Sequence, residues 1–131
     1  MSVSRSLLVL MRIAAGVQIV VGLGLWTGRW YSLVGMHRAT GVAYVVLFWI
    51  LAILALAQRR NIGLALVALL WGFVIAALGF MQQRILIGDL HWIVRVVHLI
   101  VGLSALGIAE RLARRSTPAS VAAPARVSAA G

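Results

Sequence analysis

The chain has 131 residues, of which 63% are hydrophobic and only 11% charged, with a mean hydropathy of +1.07. A soluble domain of this size leaves too much surface exposed to hide so much apolar area, so lipid is the solvent that the composition demands. The formal charge of +10 comes from twelve basic residues, all Arg, gathered near the ends of apolar runs, where they orient helices and meet anionic headgroups; nucleic acid is therefore not an expected partner. Cys is absent, which excludes disulfides, thiolate metal sites and Cys nucleophiles. The two acids, Asp89 and Glu110, both read as helix-end residues, too few for carboxylate acid/base chemistry or carboxylate-driven ion transport.

The first apolar run extends from about Leu7 to Trp26. Arg12 interrupts its start and no small-x-small cleavage site leads into a soluble domain, so it is expected to be a retained helix rather than a signal peptide. A short loop, Thr27-Gly28-Arg29-Trp30-Tyr31, carries an aromatic pair suited to the membrane interface. The second span is expected from about Gly35 to Gln58 and the third from about Ile62 to Met81. After Gly88-Asp89 the fourth runs from about Leu90 to Leu112. Each is long enough to cross a hydrocarbon core of about 30 Å. Residues 1–115 thus read as one transmembrane bundle, and 116–131, rich in Ala, Ser and Pro without periodicity, as a disordered cytoplasmic tail.

Orientation follows from Arg. Arg5, Arg12, Arg59, Arg60, Arg111, Arg114, Arg115 and Arg126 fall on one side, and Arg29, Arg38, Arg84 and Arg95 on the other. The larger set predicts cytoplasmic termini, in the inner or cell membrane of a prokaryote.

The chain also repeats itself. His37 and His98 stand 61 positions apart, and the same offset pairs Gly41 with Gly102 and Tyr31 with Trp92; Gln18 and Gln82 nearly correspond. The predicted fold class is therefore an all-α membrane protein, a four-transmembrane-helix bundle built from two repeated helical hairpins. Duplication makes the second and fourth helices parallel. Each His lies six residues beyond an interfacial aromatic, about 9 Å deeper at helical rise, so the two imidazoles share one depth.

A His inside a membrane is a functional candidate, because an unpaired polar group in hydrocarbon is costly. Two at one depth on parallel helices suit the axial positions of a single b-type haem, with iron as the metal held by His37 and His98. Gly41 and Gly102, each four residues after a His on the same helix face, offer room for a flat macrocycle. Arg95, three residues before His98, and Arg38 are candidates to pair with haem propionates, with Arg29 as a further helper. The plainer alternative has each His bonding a neighbouring helix, with the glycines only easing close packing. His91 reads as interfacial, and Gln18 and Gln82 as interhelical or helix-end residues. Trp49 and Trp71 lie inside spans and are candidates for the bundle core.

Met36-His37-Arg38-Ala39-Thr40-Gly41 resembles the His-Arg motif opening the second helix of a haem A synthase half, and Val97-His98-Leu99-Ile100-Val101-Gly102 its fourth-helix motif; Leu78-Gly79-Phe80-Met81 is similar to its third helix. That family fuses two four-helix bundles, each with a haem site between histidines of its second and fourth helices. The resemblance, over about Arg12 to Leu112, implies one haem-b-holding bundle. Val34 stands where the family's substrate-binding half carries a functional Glu, so oxidation chemistry is not implied. The expected function is a small membrane b-type cytochrome serving electron transfer, its partners being the lipid bilayer and a quinone or redox protein, as a homodimer or a subunit of a larger complex. The alternatives are a non-redox structural or assembly subunit, or a haem-handling protein related to haem A synthase.

Overall fold

The structure, a computed structural model, describes residues 3–59 and 61–114. Four α-helices account for most of it: α1 (Val3–Trp26), α2 (Val34–Ala57), α3 (Ile62–Met81) and α4 (His91–Arg114). All four are long and apolar enough to cross a membrane. The surface agrees, since Leu70, Phe73 and Phe80 of α3 are each more than 60% exposed, a distribution suited to lipid and not to water. The chain is thus an integral-membrane type of bundle. The expected tail, with Arg115 and Arg126, lies outside the described residues.

The third span falls on its expected bounds. α1 begins four residues earlier than hydropathy suggests, because Arg5 is tolerated in the first turns while Ser4 and Leu8 are buried. α4 likewise continues to Arg114, carrying Arg111 and Arg114 in its last turn, where the helix dipole favours cations.

The connections are short and their geometry is set by few residues. α1 ends on Gly28 at φ 72°, with Thr27 and Gly28 amides donating back to Leu23 and Leu25 carbonyls. Trp30 then folds over Gly24, where a Cβ would collide with its indole. A 3-10 turn at Tyr31–Leu33 leads into α2, so the rise from Tyr31 to His37 is a little steeper than a continuous α-helix gives. Between α2 and α3, Arg59 and Asn61 both adopt left-handed backbone. A 3-10 turn at Gln82–Arg84 and a loop through Gly88 (φ 100°) lead to α4.

The helices pack as a ring in chain order, α1 closing on α4, and α2 also meets α4 across the diagonal. Among the described residues the α1 and α3 backbones do not come close across the other diagonal. The core sits toward the end that holds the termini and the α2–α3 turn: Met11, Phe48, Ala52, Ala65, Ala68 and Ala105 are fully buried there. Arg12 closes that end by donating through Nη2 (2.8 Å) and Nε (3.2 Å) to Oε1 of Glu110. Toward the opposite, two-loop end, the apolar side chains that are buried reduce to Val21 and Val94 among the described residues.

Candidate functional site

Where that core stops, the helices line a cavity of about 870 Å³, at the upper part of the range usual for small-molecule and cofactor sites. All four helices contribute to its wall. His37 and His98 lie inside it, with Arg38 and Arg95 nearer the two-loop end and Tyr44 deeper. Val34 is also in the wall, so the cavity has no carboxylate at that position.

The two histidines face each other across the α2–α4 diagonal, ring centroids 6.5 Å apart and planes inclined by 56°. The two histidines that the sequence pairs are thus brought face to face. Each ring rests on a glycine of the preceding helix: a Cβ on Gly22 would lie 3.3 Å from Cε1 of His37, and one on Gly79 3.6 Å from Cε1 of His98. Neither glycine has a site role legible in the sequence, because their contacts are between helices and follow no local spacing. Nδ1 of both histidines is buried without a hydrogen-bond partner.

That last fact bears on what the pair can hold. The ring separation lies within the span of direct aromatic contacts, about 4.5–7 Å, so distance alone allows simple packing. Simple packing in hydrocarbon, however, leaves two imidazole nitrogens unbonded, which costs free energy for each. An imidazole–metal–imidazole array with metal–nitrogen bonds of about 2.0–2.1 Å spans two bonds and half of each ring, close to the separation here. Among the described residues no cluster of three or more His, Asp or Glu side chains surrounds the pair. A metal held here would take its remaining ligands from outside these side chains, and a macrocycle would supply four. The residues fit haem.

Gly41 and Gly102 behave differently from each other. Gly102 lines the cavity with open space for 4 Å around the point where a Cβ would stand, and its carbonyl accepts a hydrogen bond from the Tyr44 hydroxyl (3.0 Å). At Gly41 a Cβ would stand 2.9 Å from Nε2 of Gln18. That amide donates to the His37 carbonyl (2.7 Å) and to Oγ1 of Thr40 (3.0 Å), an interhelical role of the kind expected for Gln18.

Arg95 is partly buried and reaches the Trp26 carbonyl at 3.5 Å; Arg38 reaches Oε1 of Gln83 at the same distance. Both contacts are at the limit of hydrogen bonding. The ion pairs of the described residues both involve Glu110 at the other end, so neither cavity Arg has a carboxylate of its own. Arg29 does not line the cavity. His91, at the first turn of α4, does, and its Nδ1 lies 3.2 Å from the Ile85 carbonyl. Trp49 and Trp71 are partly buried against the core, donating to Leu69 and to Val101 with Ser104, respectively.

No protein-family profile matches this sequence, and no curated protein or solved structure is significantly similar to it.

Proposed function

We propose that this chain is a small membrane b-type cytochrome that holds one haem between His37 and His98 and passes single electrons near the two-loop face of the bilayer. The observation that carries this reading is the facing histidine pair, 6.5 Å between centroids, with both Nδ1 atoms buried and unpartnered inside a cofactor-sized cavity. Bound there, haem supplies a one-electron ferric/ferrous couple.

The residues have separate tasks in this reading. His37 and His98 would hold the iron through their imidazoles, and neither is then available for other chemistry. Gly22 and Gly79 hold the two rings from behind, and Gly102 leaves a macrocycle room. Arg38 and Arg95, which have no carboxylate partner among the described residues, would pair with propionates and favour the more negative, reduced state. Electrons reach the site from a quinone or a redox protein, and cytoplasmic termini would place it in the outer half of the membrane. The two hairpins are then best understood as repeats, each donating one ligand.

Spectroscopy of the full-length protein, expressed with ample haem and purified in detergent, tests the proposal. A Soret band with a sharp α-band on dithionite reduction is the expected result. A colourless protein would overturn it in favour of a non-redox structural or assembly subunit. A protein that gains haem but also converts added haem O would be a haem-modifying relative instead, which Val34 in the cavity wall argues against.

A further inference from the structure

We infer that Gln18 is a positioning residue for His37, and that position 41 is glycine to admit the Gln18 amide. The consequence at the iron rests on the haem reading above; the contact itself does not.

Gln18 and Gly22 are four residues apart on α1 and present one face to α2. Both protons of the Gln18 amide are used on the turn that carries His37, one by the His37 carbonyl at 2.7 Å and one by Oγ1 of Thr40 at 3.0 Å. Thr40 in turn donates to the Met36 carbonyl at 2.8 Å. The turn Met36–Gly41 is thus tied to α1 at its backbone while Gly22 supports the far edge of the His37 ring. These bonds are part-buried inside the bundle, where an amide that loses them has few other partners. Sliding or rotation of α2 against α1 is thereby opposed at the residue whose ring plane matters most. A methyl at position 41 would stand 2.9 Å from the Gln18 nitrogen, so the amide must shift from its place between the two acceptors.

A double-mutant cycle decides the matter. Full-length wild type, Gln18→Ala, Gly41→Ala and the double variant are compared in thermal unfolding midpoint, haem midpoint potential and the ferric low-spin g-values, which report the orientation of the axial rings. Gly41→Ala and Gln18→Ala should each shift all three, and the double variant should be no worse than Gln18→Ala, since the methyl then occupies space that the amide has left. Thr40→Val, which keeps the shape and removes one acceptor, should shift the g-values the same way by less. If Gly41→Ala is equally harmful with and without Gln18, the glycine serves the cofactor and the inference is wrong. If Gln18→Ala lowers the unfolding midpoint but leaves potential and g-values unchanged, Gln18 is only a packing residue and the inference is again wrong. Wild type without haem would overturn the cytochrome and the effect at the iron together, while additivity or coupling in the unfolding midpoint would still judge the Gln18–Gly41 contact.

Discussion

At the end of the bundle that holds the termini, the inward positions are filled by Ala65, Ala68, Ala105 and Ala109, none with any exposed surface, around Met11 and Phe48. At the two-loop end the inward positions include His37, His98, Gly22 and Gly79, and the helices line an open cavity. The contrast is in residue size and polarity, not in helix length or hydropathy, which hardly differ along the chain. Alanine lets helix backbones approach closely, and in lipid that close van der Waals contact is the main attraction between helices. Glycine beside histidine withholds packing atoms from the centre and places nitrogen there. One half of the molecule packs on itself and the other leaves a cavity.

Substitutions can separate the two halves. The largest effect is expected at the histidines: His37→Ala or His98→Ala should each abolish nearly all haem absorbance per protein, yet leave a monodisperse helical protein, because the alanine core is untouched. Loss of helicity with the haem would show that the halves are not independent. Next comes Ala68→Leu or Ala105→Leu, which forces a large side chain into a fully buried site and should cost about 1–3 kcal/mol in unfolding in detergent, with haem lost only as the protein unfolds. Tyr44→Phe lies at the junction. It removes the bond to the Gly102 carbonyl between α2 and α4 and should cost about 1 kcal/mol, with a shift in the haem spectrum larger than Ala68→Leu gives before unfolding. The smallest effect is expected from Glu110→Gln, since the pair with Arg12 is part-exposed; its stability change should shrink further in added salt.

Much of this was legible in the sequence, for identifiable reasons. Spans are fixed by hydropathy, so Ile62–Met81 falls where it is expected. The pairing of His37 with His98 is expected from their equal spacing behind Tyr31 and Trp92, although the 3-10 turn at Tyr31–Leu33 makes the two rises differ slightly. What could not be read depends on helix rotation. Gly22 behind His37, Gly79 behind His98 and Gln18 in the notch of Gly41 are contacts between helices, and apolar helices with weak amphipathic patterns do not announce which face turns inward. The same limit made Gly41 and Gly102 look equivalent. The Arg12–Glu110 pair joins residues 98 positions apart and follows only from α1 closing on α4.

The two histidines belong to different hairpins, so a ligand shared by both would be a fastener as well as a cofactor. A molecule bound by both rings joins the α1–α2 unit to the α3–α4 unit and has no counterpart when they separate. Its binding energy therefore adds to assembly, by about 2.7 kcal/mol at a free concentration one hundred times its dissociation constant. The supply of that ligand would then set how long the protein survives in the membrane, with unoccupied copies the first to come apart and be degraded.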